Sequence, residues 1–161
     1  MSLPAPLAPL GAYRQFIVYR LEPRANSVKM DKVPCSPDGN TASALDPKNW
    51  LSHAEAETRA TILGGNYGVG FVLTEQDPFC CIDLDNCWLG DRWSDLALQI
   101  IEMLPGAAVE VSQSGTGLHI WCSYIGDPPE HTCKNVELGI ELYTSGRFIA
   151  LGGHDVTGSL Q

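Results

Sequence analysis

Apolar positions along the chain gather mostly in short runs divided by turn formers, and two longer stretches carry helical spacing. FIVYRL, residues 16–21, is β-rich and predicts the first strand. Residues 22–49 hold Pro23, Pro34, Pro37, Gly39 and Pro47, which predicts a long surface loop. Ser52 and Glu55 form an S-x-x-E capping box and Gly64-Gly65 supplies a stop, so residues 53–63 are expected to be helical. The runs 69–73 and 79–84, split by residues 74–78, predict a β-hairpin or two neighbouring strands. SDLALQIIEML, residues 94–104, predicts a second, amphipathic helix ended by Pro105-Gly106. Strands are expected at 108–112 and 118–124 around a turn at 113–117, and again at 136–143 and 147–151, joined by Thr144-Ser145-Gly146. No repeat is visible. Helices and strands in this order, with hairpins in the second half, indicate an α+β fold with a largely antiparallel sheet.

Composition narrows the class. At 161 residues, 44% hydrophobic and 18% charged, the chain suits one globular domain that needs no disulfide staples. We place that domain at 13–161, behind a loose, proline-broken arm at 1–12. No apolar run reaches the roughly 18 residues that span a bilayer. The first residues, MSLPAPLAPL, carry no basic leader, which argues against a signal peptide and for a cytoplasmic protein. The six cysteines are then expected as reduced core thiols. His131, Cys133 and Cys122 lie close in sequence, but no C-x-x-C pair supports a structural Zn²⁺ site. The net charge of −9 is unevenly spread. Residues 1–60 hold seven of ten Lys/Arg and six of nineteen Asp/Glu, whereas the remainder holds three against thirteen. Such a chain offers no broad basic face for a duplex, so tight template binding needs another domain or partner.

Three segments carry candidate chemistry. In CIDLDNC (81–87), Asp83 and Asp85 stand two apart at the end of an apolar strand, which aims both carboxylates at one side. Carboxylates held that close repel unless a cation lies between them, and paired acids with a third are a common way to hold Mg²⁺ or Mn²⁺. In VEVSQSGTGLHIW (109–121), the turn residues Ser114, Gly115, Thr116 and Gly117 can present N–H groups and hydroxyls to phosphate. On the strand that follows, His119 and Trp121 share a face. In GIELYTSGRFIALGGH (139–154), Glu141 lies between Ile140 and Leu142, so its carboxylate leaves the core side together with Tyr143. Arg147 follows past a tight turn as a phosphate-binding cation, or as an ordinary cross-strand partner of Glu141. Each segment alone also fits a purely structural role.

Taken in order, D-x-D, S-x-S-G-x-G-x-H and apolar-E-apolar-Tyr before Arg-Phe resemble the archaeo-eukaryotic primase superfamily. The match is to the bifunctional primase-polymerase (prim-pol) domain of phages, plasmids and mobile elements. It runs from Tyr13 to Gly158 and includes Lys32-Val33-Pro34, Asp46-Pro47-x-x-Trp50 and Gly68-Val69-Gly70-Phe71-Val72. The resemblance implies a two-part α/β catalytic core with an RRM-like, largely antiparallel mixed sheet and flanking helices. It implies that Asp83, Asp85 and Glu141 bind Mg²⁺ or Mn²⁺ and that His119 contacts the incoming nucleotide's phosphates. It also gives the Ser-Gly turn, Tyr143 and Arg147 to the nucleotide pocket. Lys29, Lys32 and Lys48, in the Pro-rich stretch, are the candidates for template contact. Members with full priming activity usually carry a helical domain after the core, and often a helicase; neither lies within residues 1–161.

The expected activity is template-dependent nucleotidyl transfer, as DNA primase, DNA polymerase or both, with single-stranded or primed DNA and nucleoside triphosphates as partners. The expected mechanism is two-metal phosphoryl transfer, with His119 and Arg147 holding the triphosphate in line. A metal-dependent nuclease also uses three carboxylates, but leaves Ser114, His119 and Arg147 without a purpose. A rolling-circle initiator pairs two His around one apolar residue, and here the partner position of His119 is Gly117. A degenerate replication scaffold is the non-enzymatic alternative, set against the presence of all three acids.

Overall fold

The computed structural model describes residues 2–153 and 155–160. His154, the last residue of the third candidate segment, lies outside them. The fold is α+β, with nine strands divided between a four-stranded and a five-stranded sheet among the described residues. The chain forms two compact units. The first contains Leu10–Val72 and Arg147–Leu151; the second contains Pro4–Pro9, Leu73–Gly146 and the described residues from Gly152 onward.

In the first unit β1 (Phe16–Pro23) runs antiparallel to β2 (Met30–Cys35), with Val18 opposite Cys35 and Pro23 opposite Met30. The expected loop at 22–49 is therefore interrupted by a strand. β2 lies at the sheet edge, where the missing N–H of Pro34 breaks no inner ladder. A 3₁₀ turn at Pro47–Asn49 is capped by Asp46. The helix α1 (His53–Leu63) starts where the sequence places it, because Ser52 and Glu55 close a full capping box. β3 (Tyr67–Leu73) pairs with β1, and β1 sets Phe16 edge-on to Phe71 at 5.0 Å between ring centroids.

The second unit is built on β4 (Phe79–Leu84), the middle strand of its sheet. β3 and β4 do not form a hairpin; the chain changes sheet between them. Next come α2 (Asp95–Met103), capped by Ser94, then β5 (Ala108–Val111) and β6 (Leu118–Ser123). The short β7 (Lys134–Asn135) turns into β8 (Ile140–Tyr143), so the strand expected from residue 136 starts later, after a turn at Gly139 with φ 65°. The sheet order is β5-β6-β4-β8-β7, and its described pairings are antiparallel. β9 (Arg147–Ala150) leaves this sheet and joins β3 in the other, which overturns the expected β8–β9 hairpin. Both sheet changes meet where the Gly146 N–H donates to the Leu73 carbonyl at 2.9 Å.

Helix α2 presents Ala97, Ile100, Ile101 and Leu104 at helical spacing to Leu84, Leu118, Ile120 and Ile82. This contact fixes which side of the sheet is apolar. Within the stretch expected as a loose arm, the described residues include a regular element. Residues Ala5–Ala12 form a 3₁₀ segment with Leu7 and Leu10 fully buried, and the Leu160 N–H donates to the Pro6 carbonyl. Among the described residues no helix is long and apolar enough to cross a membrane.

Candidate active site

On β4, Ile82 and Leu84 pack toward α2, so Cys81 and Asp83 occupy the opposite face. Pairing register then lines up one residue from each of the five strands: Glu110, His119, Asp83, Glu141 and Lys134. Exposure grades along this row. Glu110 is 0% exposed and His119 2%, whereas the side chains of Asp83, Glu141 and Lys134 are 23%, 18% and 49% exposed. Solvent therefore reaches Lys134, Asp83 and Glu141 but scarcely His119 and not Glu110.

Each member has identifiable partners. The Lys134 ammonium contacts Glu141 Oε1 at 2.5 Å, and the Tyr143 hydroxyl donates to Glu141 Oε2. His119 Nε2 lies 3.7 Å from Asp83 Oδ1, and its Nδ1 lies 2.9 Å from Glu110 Oε1. Trp121 Nε1 also donates to Glu110 Oε1 at 3.1 Å, and the Gly152 N–H donates to Oε2 at 3.0 Å. Behind Asp83 on the same face, Cys81 is held as a thiol: burial pushes it well up, and the charges of Asp83 and Glu110 add to that.

Asp85 is the first turn residue after β4 and is exposed, with its N–H donating to the Gly139 carbonyl at 3.0 Å. It lines a small pocket with Leu84, Asn86, Ser94 and Gly139. Among the described residues no three His, Cys, Asp or Glu side chains form a ready metal cluster. The donor set nonetheless suits a hard divalent cation. Asp83 and Glu141 are neighbouring carboxylates in one ladder position, Asp85 directly follows the last residue of the strand, and a cationic group already sits on Glu141.

The Ser-Gly turn connects β5 to β6. Ser114, Gly115 and Thr116 are exposed, and the hydroxyls of Ser112, Ser114 and Thr116 form a chain with 3.1 Å steps. Ser112 Oγ accepts the Gly117 N–H, and the Trp88 N–H donates to the Thr116 carbonyl at 3.1 Å. A Cβ on Gly117 would stand 2.6 Å from the Leu84 carbonyl, so only glycine lets the turn lie against the end of β4.

The structure thus brings Asp83, His119, Glu141 and Tyr143 together, with the turn two residues upstream of His119. Arg147 stands on β9 in the first unit, not in a hairpin with Glu141. Lys29 and Lys48 are exposed in the first unit, and Lys32 lies on β2 opposite Leu21. His131 points its two ring nitrogens at the Pro129 and Leu142 carbonyls rather than at a thiol, and all six cysteines are free. Sequence reasoning missed Glu110, although Val109-Glu110-Val111 repeats the apolar-acid-apolar pattern that singled out Glu141.

No family model matches the chain. It is 32% identical over 163 residues to the DNA primase-polymerase of Nitratiruptor phage NrS-1, an alignment covering 95% of this chain. The chain spans 21% of the length of that relative. This similarity supports a prim-pol domain of phage type.

Proposed function

We propose that this chain is the nucleotidyl-transfer core of a primase-polymerase, acting in the replication of a phage, plasmid or mobile element. The observation that carries this reading is Asp83, flanked across the sheet by His119 and Glu141 on the face opposite the apolar core. Similarity along nearly the whole chain to a phage DNA primase-polymerase supports it.

In this reading Asp83, Asp85 and Glu141 hold Mg²⁺ or Mn²⁺, which would activate a 3′-hydroxyl and offset charge on departing pyrophosphate. The chain's own residues position the reactants. The exposed hydroxyls of Ser114 and Thr116, on either side of Gly115, receive phosphate oxygens, and His119 Nε2 faces the same side as Asp83. Lys134 and Tyr143 hold the Glu141 carboxylate, so a cation arriving there displaces an ammonium and meets an oriented ligand. Arg147 remains a candidate for the triphosphate tail, and Lys29, Lys32 and Lys48 for the template. A helical domain or helicase partner would supply the basic surface that this acidic chain lacks. The protein would act in the cytoplasm of the host cell.

The test is incorporation of labelled nucleotide by the 161-residue chain on primed and unprimed single-stranded templates, with Mg²⁺ or Mn²⁺. Extension of the supplied primer that is lost in Asp83→Ala supports the reading. Metal-dependent degradation of the template without incorporation would replace it with the nuclease reading.

A further inference from the structure

Glu110 is the one acidic side chain of this row that solvent does not reach, and nothing in the transfer reaction just described uses it. Burying an acid at 0% exposure is costly unless hydrogen bonds replace its water. Glu110 has three such contacts. Trp121 Nε1 and the Gly152 N–H can only donate, which assigns both carboxylate oxygens as acceptors. The Gly152 contact is built into the backbone: a Cβ there would stand 1.8 Å from the Val111 carbonyl, so only glycine carries its N–H this close. The third contact is His119 Nδ1 at 2.9 Å, and with Glu110 as a carboxylate this contact places the proton on Nδ1.

We infer that Glu110 is a positioning residue for His119: it fixes the ring and its Nδ1–H, so that Nε2 is always the atom turned toward Asp83 and the bound phosphates. This rests on the nucleotidyl-transfer reading for its purpose, but not for its geometry. Without Glu110, Nδ1 would face a buried space with no acceptor, and the ring would be free to rotate about χ2. Trp121 then reads as part of the same device, since its indole N–H holds Oε1 in the line between β5 and β6.

The experiment pairs a spectrum with steady-state kinetics. Long-range ¹⁵N–¹H correlation spectra of the full chain should show His119 protonated at Nδ1. Glu110→Gln cannot satisfy Trp121, Gly152 and Nδ1 at once, because one amide end donates. In this variant the His119 tautomer should shift or become mixed. KM for the nucleotide should rise by about tenfold, more than kcat falls, in keeping with one lost charge-assisted contact. A neutral Nε2–H tautomer with bare Nδ1 in the wild-type chain would overturn the inference, even if Glu110→Gln failed to fold. Unchanged KM in a folded Glu110→Gln variant would overturn it as well. If the wild-type chain incorporated no nucleotide, the functional reading would fall, while the spectrum would still decide whether Glu110 sets the tautomer.

Discussion

The five-stranded sheet has two faces made from the same strands, and they are held together in different ways. On one face Ile82, Leu84, Leu118 and Ile120 close against α2 by apolar burial, without direction or charge. On the other, Glu110, His119, Asp83, Glu141 and Lys134 form a row whose buried end is saturated with hydrogen bonds and whose outer end meets solvent. The contrast shows how one sheet supplies both scaffold and chemistry. The apolar face fixes the register, and a period of two then delivers every second side chain to the polar face at cross-strand spacing. Charges survive inside only where donors are built in, and the carboxylates of Asp83 and Glu141 lie where solvent reaches them.

Substitutions on the two faces should therefore fail differently. The largest effect is expected on the polar face: Asp83→Ala or Glu141→Ala should lower nucleotide incorporation on the order of a thousandfold while leaving thermal unfolding nearly unchanged. On the apolar face Ile120→Ala should cost about 2–5 kcal/mol in denaturant unfolding, the range for opening a cavity in a packed core. His119→Ala should weaken binding of a non-hydrolysable triphosphate by about 1–3 kcal/mol by calorimetry, with Mn²⁺ binding retained. Ser94→Ala, which removes the cap of α2, should cost about 1 kcal/mol and leave nucleotide affinity alone.

The smallest effect separates the faces by thiol chemistry. Cys122 is lowered to about 7 by its hydrogen bond with Cys80, which outweighs its burial, whereas burial pushes Cys81 well up on the opposite face. The thiolate is the reacting form, so alkylation of Cys122 should rise as pH passes about 7 while Cys81 stays unlabelled in the folded protein. Peptide mass spectrometry after a brief iodoacetamide pulse measures both in one sample.

Local signals in the sequence were strong wherever structure is local. The first helix was legible from its capping box, the second from its amphipathic spacing and Pro-Gly stop, and the β5–β6 turn from its Ser-Gly pattern. Alternation along each strand made Asp83, His119 and Glu141 legible one by one as polar-face residues, and the family resemblance joined them as a set. What stayed hidden depends on contacts distant in sequence. Residues 74–78 read as joining a hairpin or two neighbouring strands and 144–146 as a hairpin turn, yet both connect different sheets. That misreading placed Arg147 beside Glu141, whereas it belongs to β9 in the first unit. β2 was masked by Pro34, which an edge strand tolerates, and the 3₁₀ segment at Ala5–Ala12 by a composition that reads as loose. Glu110 was overlooked because an acid between two valines looks like a solvated strand until pairing sets it against His119.

The central claim is that the polar face, and not the helix face, receives the metal and the nucleotide. Paramagnetic broadening by trace Mn²⁺ in the presence of a non-hydrolysable triphosphate tests it directly on the folded chain. Resonances of Asp83, His119, Glu141 and Tyr143 should broaden first, those of α2 should persist, and Asp83→Ala should abolish the pattern. Broadening centred on α2 or on residues 131–133, or broadening that survives intact in Asp83→Ala, would contradict the account.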